Sequence, residues 1–148
     1  MEFQEDFREL LGLLNSHGVE HLIVGAHTLA YHGAPRYTGD LDILLQPTPE
    51  NAVRVMAALN DFGFGDVGLS LDDFSVPGKV IQLGFPPVRI DLLTSLTGIT
   101  WEEAARGKIQ GDYGGVPVFY LGREQFIRNK RALGRRKDLA DLEALGEE

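Results

Sequence analysis

The hydrophobic positions in the first part of the chain predict alternating helices and strands. An opening amphipathic helix is indicated by apolar side chains that recur at helical spacing, at Phe7, Leu10, Leu11 and Leu14. The unbroken apolar run at 21–24 predicts a buried strand, and a short helix is expected after it at 28–32. A second strand is predicted at 39–45, followed by a helix at 49–59 that has a proline in its first turn.

The rest of the chain predicts more strands and a helical C-terminus. The strands fall at 79–85, 88–93, 108–113 and 116–121. The first two are expected to be antiparallel, and the last two are expected to form a hairpin around Gly114 and Gly115. A short helix opens with the capping-box pair Thr100 and Glu103, and a C-terminal helical pair is predicted at 124–133 and 136–145. This order predicts an α/β (α+β) fold in one domain, 1–148, with a mixed sheet, flanking helices and one face largely covered.

Composition and charge then exclude several classes of protein. The chain has no cysteine, which rules out disulfide scaffolds, zinc ribbons, iron–sulfur clusters and thiol catalysis. An acidic N-terminus, and no apolar run near the roughly 20 residues of a membrane helix, lead us to expect a cytoplasmic protein without a membrane partner. The formal net charge of -8 disfavours general nucleic-acid binding. Half of the 14 cations nevertheless lie in the basic stretch 123–137, at Arg123, Arg128, Lys130, Arg131, Arg135, Arg136 and Lys137.

Two aspartates on the second predicted strand are the sharpest chemical signal. Side chains alternate between the faces of a strand, so Asp40 and Asp42 project together while Leu41, Ile43 and Leu45 face a core. Adjacent carboxylates repel one another, and a divalent cation such as Mg²⁺ would compensate them because it prefers hard oxygen ligands. The alternative is a solvated strand edge with two ordinary acids.

Asp91 offers a third carboxylate on another predicted strand. It alternates with Ile90 and Leu92, and it shares its face with Arg89. If this strand neighbours the one that carries Asp40 and Asp42, the three acids form a cluster able to hold two metal ions for phosphoryl transfer. The alternative is a strand-end acid that simply pairs with Arg89.

Gly25 and Ala26 follow the first predicted strand and precede a helix. Helix N-termini present free N–H groups, so a phosphate can bind there when the adjoining side chains are small. Arg36 and Thr38, just before the acids, would contact phosphate or orient the carboxylates. An ordinary turn and a solvated arginine are the alternatives.

The motifs at 23–26, 35–43 and 89–93 together resemble the nucleotidyltransferase superfamily that shares the catalytic fold of DNA polymerase β. The Arg-x-Thr-x-Asp-x-Asp arrangement and the C-terminal segment 130–142 are similar to small bacterial nucleotidyltransferases related to abortive-infection toxins. The resemblance spans roughly residues 20 to 145. It implies transfer of a nucleoside monophosphate from an NTP, with Mg²⁺, or alternatively Mn²⁺, as the cofactor.

The resemblance also implies roles for individual residues. Asp40 and Asp42 would be metal ligands, and Asp91 a ligand or the base that assists the acceptor hydroxyl. Lys130 and Lys137 would hold the triphosphate, although both also suit a solvated helix face. Ala26 stands where the family usually has Ser or Gly.

The acceptor is not identified by these motifs. The resemblance suggests a toxin–antitoxin role, with an antitoxin protein as a candidate partner, and an RNA or protein hydroxyl is favoured over a small molecule because of the basic stretch. A catalytically silent nucleotide-binding or partner-binding protein on the same fold is the alternative.

Overall fold

The computed structural model describes residues 3–34, 39–65, 67–85 and 88–147. The strands are β1 His21–Val24, β2 Asp40–Leu45, β3 Val80–Phe85, β4 Val88–Leu93, β5 Ile109–Tyr113 and β6 Val116–Tyr120. The helices are α1 Glu5–Ser16, α2 Gly25–Tyr31, α3 Pro49–Leu59, α4 Asp72–Ser75, α5 Trp101–Gly107, α6 Arg123–Leu133 and α7 Arg136–Ala144, with a π-helical turn at Asn60–Phe64. Within the described ranges, none of the helices combines the length and the apolar character needed to cross a membrane.

The strands form one mixed sheet in the order β3-β4-β2-β1-β6-β5. Strands β2 and β4 pair in parallel, as do β1 and β6, and the other neighbours are antiparallel. Both predicted hairpins, β3–β4 and β5–β6, are therefore confirmed. The α/β fold class with a mixed sheet is confirmed as well.

Helices cover both faces of the sheet, which corrects the expectation of a largely one-sided cover. Leu41, Ile43 and Leu45 of β2 pack with α1 and α3 in the larger core, as their alternation predicts. On the other face, Leu22, Val24 and Leu44 form a second cluster that includes Ala104 of α5 and Phe126 of α6. This second cluster exists because the acid-bearing face is apolar beyond Asp42. Only the end of that face, where β2 begins, carries the acids.

Helix α2 begins at Gly25, immediately after β1, and not at the predicted residue 28. The sharp transition is possible because Gly25 adopts a φ of +71°, a left-handed conformation that glycine adopts at little cost. The Thr28 hydroxyl donates a hydrogen bond to the Ile23 carbonyl at 2.6 Å and so ties the helix back to the strand. The first turn of α2 therefore lies at the end of β1, next to the acids of β2.

A buried ion-pair cluster fastens the C-terminal helices to each other. Lys130 of α6 is 7% exposed, and its Nζ lies 3.2 Å from Asp138 Oδ1 and 3.1 Å from Asp141 Oδ2 of α7. Burial alone would raise the pKa of Asp138, but hydrogen bonds from Arg135 and Lys130 outweigh it and hold that pKa at about 2.

Replacing Lys130 with Met should destabilise the protein strongly. The substitution removes the buried cation that Asp138 and Asp141 share, and breaking a buried pair in this way costs about 3–5 kcal/mol. Arg135 still contacts Asp138, so we expect a loss at the lower end of that range. Lys137→Met, which removes the same charge from an exposed position on α7, should change the free energy of unfolding by no more than about 0.5 kcal/mol. Urea titration of both variants checks this, and equal losses would show that the cluster adds no stability.

Candidate active site

The register between β2 and β4 brings the predicted acids together. Asp42 lies directly opposite Asp91, and Asp40 lies directly opposite Arg89. Directly opposite residues in a sheet point to the same face, so all four side chains project from one face of the sheet, near the start of β2. The condition under which Asp91 was expected to join the other two acids, that β4 neighbours β2, is met.

Arg89 bridges two of the three carboxylates. Its Nη2 donates hydrogen bonds to Asp40 Oδ2 at 2.9 Å and to Asp91 Oδ2 at 3.2 Å. Its Nε lies 3.1 Å from Asp91 Oδ1, close enough for an ion pair but not aligned for a hydrogen bond. Among the described residues, the buried Oδ1 of Asp91 therefore has no hydrogen-bond donor, and Asp91 itself is only 8% exposed.

Asp42 is the carboxylate with the most perturbed ionisation. Its burial, followed by the charges of Asp91 and Asp40, raises its pKa to about 6, and Arg89 only partly opposes that shift. A charged carboxylate is disfavoured when it is taken from water and placed beside like charges. The site therefore holds more negative charge than Arg89 alone compensates.

Gly25 closes over Asp42 from the neighbouring strand. Val24 lies opposite Asp42 in the β1–β2 pairing, so the next residue, Gly25, sits above the carboxylate. A Cβ atom at Gly25 would collide with Asp42 Oδ2, and the left-handed backbone disfavours a side chain there as well. The first turn of α2 has no side-chain cap. Ala26, the next residue of α2, is 7% exposed.

His27 and the bridging by Arg89 are features of the site that the sequence did not reveal. The His27 imidazole hydrogen-bonds the backbone of Asp40, and burial lowers the pKa of the ring. Arg89 and Asp91 could be assigned to one face from strand alternation alone. That Arg89 also contacts Asp40 depends on the β2–β4 register, which no local pattern encodes.

The oxygen donors of this site suit a divalent cation. Across the described ranges, no three acidic or histidine side chains are already arranged as a metal site in this conformation. Arg89 lies against two of the three candidate carboxylates. Magnesium takes one or two carboxylates together with substrate phosphates. The undercompensated Asp42 and the unbonded Oδ1 of Asp91 are ligands of that kind. The residues therefore fit Mg²⁺, provided that Arg89 gives up part of its contact.

The other predicted nucleotide-binding residues lie elsewhere or outside the described residues. Arg36 and Thr38 fall in the segment 35–38, which the structure does not describe. Lys130 is buried between Asp138 and Asp141, so its charge is already neutralised within the helical pair. This pairing removes Lys130 from the set that we propose for phosphate binding. Lys137 is exposed on α7.

The basic stretch 123–137 is largely neutralised by nearby acids. Its ion pairs among the described residues are Arg123–Glu147, Arg128–Glu103, Lys130–Asp138, Lys130–Asp141, Arg131–Glu147 and Arg135–Asp138. In the part of the chain that the structure describes, only Arg136 and Lys137 of this stretch show no ion pair. The stretch therefore presents much less positive charge than its sequence suggests.

Asp42→Asn should stabilise the metal-free protein at neutral pH. Folding raises the pKa of Asp42, so the protonated form of Asp42 favours the folded state. This contribution to the free energy of unfolding is complete below about pH 4 and is lost as the pH rises through about 6. The loss amounts to roughly 2–3 kcal/mol, and asparagine avoids it. Unfolding followed between about pH 4 and pH 8 in the presence of a chelator measures the difference. Asp72→Asn, an exposed control, should retain the wild-type pH dependence, and an identical profile for Asp42→Asn would contradict the account.

Gly25→Ala should disturb the acid cluster beyond the ordinary cost of a strained backbone. Gly18 offers a matched control, because its φ of +69° is almost the same but a Cβ there would meet nothing within 4 Å. Both substitutions should cost about 1–2 kcal/mol through backbone strain. Only Gly25→Ala should also displace the Asp42 carboxylate and so weaken any binding of Mg²⁺ at the acids, measured by calorimetry. Equal binding by the two folded variants would show that the space above Asp42 is not required.

This chain is similar to known proteins in structure but not in sequence. No protein-family profile matches the chain, and no curated protein matches it significantly in sequence. A candidate nucleotidyltransferase from Thermotoga maritima (TM1012) matches with a TM-score of 0.63 and 14% identity, covering 93% of this chain and 88% of that chain. The antibiotic-resistance factor ANT(2'')-Ia matches with a TM-score of 0.61 and 14% identity, covering 95% of this chain and 80% of that chain.

Two further structures are also similar to this chain. An antigenic nucleotidyltransferase-like protein from Paracoccidioides brasiliensis matches with a TM-score of 0.53 and 17% identity, covering 97% of this chain and 75% of that chain. Another structure of ANT(2'')-Ia, with a TM-score of 0.57, holds adenylyl-2''-tobramycin. At these identities the likeness is one of fold. The chain therefore has the nucleotidyltransferase fold that its motifs resemble.

Proposed function

We propose that this protein transfers a nucleoside monophosphate from an NTP to a hydroxyl acceptor. The observation that carries the proposal is the placement of Asp42 opposite Asp91, at the end of the sheet where β1 turns into α2 at Gly25. The three carboxylates form a negatively charged site, in which the pKa of Asp42 is raised. A purely structural role does not require such a site. The nucleotidyltransferase fold supports the same assignment.

Asp40, Asp42 and Asp91 are the residues that would hold Mg²⁺, or alternatively Mn²⁺. The bound cation supplies charge stabilisation for the phosphates and for the leaving pyrophosphate. In the reaction, the acceptor oxygen forms a bond to the α-phosphorus while the bond to the pyrophosphate oxygen breaks. Asp91, besides its place among the ligands, is the candidate to accept the proton of the acceptor hydroxyl.

Gly25 and Ala26 would receive the phosphates of the NTP. The absence of a side chain at Gly25 lets the Asp42 carboxylate lie directly against the turn. The first turn of α2 has no side-chain cap on its backbone N–H groups. Such groups attract phosphate oxygens. Arg36, Thr38 and the exposed Lys137 are further candidates for phosphate contacts, because the sequence resemblance implies that role for them.

The charge distribution favours an acceptor that is not a polyanion. The expectation of an RNA acceptor depended on the basic stretch, and most of its cations are paired with Glu or Asp. A protein of net charge -8 repels a polyphosphate backbone unless a basic surface offsets that charge. A small-molecule or protein hydroxyl is therefore proposed. The toxin–antitoxin role and the cytoplasmic location are proposed from the sequence resemblance and composition alone.

The proposed activity can be tested by transfer of label from NTP. The protein is incubated with each α-labelled NTP and Mg²⁺, and with separate pools of small hydroxyl compounds, proteins and RNA. We expect labelled product in the small-molecule or protein pool. Asp40→Asn, Asp42→Asn and Asp91→Asn should each lower the rate by about a hundredfold or more, since electrostatic stabilisation of this kind contributes several kcal/mol.

Two results would contradict parts of the proposal. The protein could bind NTP but form no product in any pool, with NTP binding unchanged in Asp42→Asn. That result would favour the catalytically silent nucleotide-binding protein. Label in RNA alone would overturn the proposed acceptor class but not the transfer reaction. Asp72→Asn serves as the charge-matched control, because it removes an exposed carboxylate outside the site.

A further inference from the structure

Arg89 occupies oxygen atoms that a metal ion in this site would need. Its guanidinium contacts Asp40 Oδ2 through Nη2 at 2.9 Å and Asp91 Oδ2 through the same atom at 3.2 Å. Its Nε lies 3.1 Å from Asp91 Oδ1. One planar cation therefore touches three of the four carboxylate oxygens of Asp40 and Asp91.

The position of Arg89 is imposed by the sheet. Strand alternation places Arg89 on the same face as Asp91, two residues along β4, and the parallel register sets it opposite Asp40. The Arg89 side chain is 28% exposed, whereas that of Asp91 is 11% exposed. The guanidinium thus has a route toward solvent, while the carboxylate it holds is largely enclosed.

Arg89 and a divalent cation would compete for some of the same carboxylate oxygen atoms. A carboxylate oxygen that accepts a hydrogen bond from a guanidinium at 2.9 Å cannot at the same time give its full charge to a cation. Losing one charge-assisted hydrogen bond corresponds to about a tenfold change in an equilibrium constant. Arg89 should therefore lower the affinity of the three acids for free Mg²⁺ by about that factor.

We propose that Arg89 is a positioning residue that acts as an internal counter-ion: it holds Asp40 and Asp91 in the metal-free protein and competes directly with the divalent cation for them. This inference rests on the proposed metal site but not on the transfer reaction. Binding of the cation releases Arg89 from at least one aspartate. The contacts of Arg89 hold the acids in place when no metal is bound. Its competition with the cation makes the binding of free Mg²⁺ weak.

Two substitutions separate direct competition from a general effect of charge. Arg89→Gln removes the positive charge and the contacts, whereas Arg89→Lys keeps the charge but loses the planar fork that reaches both aspartates. Arg54→Gln is the matched control, since Arg54 is exposed on α3, which packs on the opposite face of the sheet. If only net charge mattered, Arg89→Lys would bind Mg²⁺ like the wild-type protein.

The test is calorimetric titration of Mg²⁺ into each protein without nucleotide, together with the melting temperature in a chelator and in Mg²⁺. We expect Arg89→Lys and Arg89→Gln to bind Mg²⁺ about tenfold more tightly than the wild type and Arg54→Gln. Both Arg89 variants should melt lower in chelator and gain more from Mg²⁺, because the acids lose their counter-ion. If Arg89→Gln proves too unstable to purify, Arg89→Lys alone decides the question.

Several outcomes would overturn the inference. Wild-type affinity in Arg89→Lys, a gain in Arg54→Gln equal to that in Arg89→Gln, or no Mg²⁺ binding by any of the proteins would each do so. Failure of the proposed function has a different signature. In that case the order of Mg²⁺ affinities would hold while no NTP-derived label is transferred to any acceptor.

Discussion

The parallel pairing of β2 with β4 is the constraint on which the candidate site depends. It places Asp42 opposite Asp91 and Asp40 opposite Arg89, so that three acids and one arginine share a small volume. A shift of one residue in this register would move the Asp91 side chain away from its partners, because successive side chains point to opposite faces. The apolar residues that alternate with these side chains, Leu41 and Ile90, are buried in the main core and hold the register in place.

The rest of the fold supports this cluster from several directions. The hydrogen bond from Thr28 to Ile23 fixes the start of α2, and Gly25 provides the space that the Asp42 carboxylate fills. On the same face of the sheet, the smaller apolar cluster packs α5 and α6 against β1 and β2. The site is therefore built on regular elements, in which backbone hydrogen bonds and core packing determine where the charges lie.

The electrostatics of the cluster are a compromise between stability and binding. Arg89 compensates part of the negative charge, but burial and neighbouring carboxylates still raise the pKa of Asp42 to about 6. A fully compensated cluster would be more stable and would attract a cation less. The C-terminal cluster around Lys130 is the contrasting case, since there the pKa of Asp138 is held at about 2 and the acids are satisfied within the protein.

How much could be predicted from sequence differs between local and long-range features. Strand alternation was sufficient to set Asp40 and Asp42 apart from Leu41 and Ile43, because that pattern is encoded within a few residues. The contact between Arg89 and Asp40 joins residues 49 positions apart, and no periodicity specifies it.

The helical pair shows the same limit in another form. Lys130 was expected at the triphosphate, but its acid partners lie on the next helix, so its burial follows from how α6 and α7 pack. Likewise, the basic stretch looks exposed in sequence because Glu103 and Glu147, which neutralise part of it, are distant along the chain.

The position of a bound cation would test directly whether Asp40, Asp42 and Asp91 hold the metal. Crystals grown with Mn²⁺ and a non-hydrolysable NTP analogue would give an anomalous signal at the metal position. We expect a peak that is coordinated by Asp42 and at least one of Asp40 and Asp91, with the phosphates of the analogue toward Gly25. A peak bound elsewhere on the protein, or nucleotide bound with no metal at these carboxylates, would contradict it.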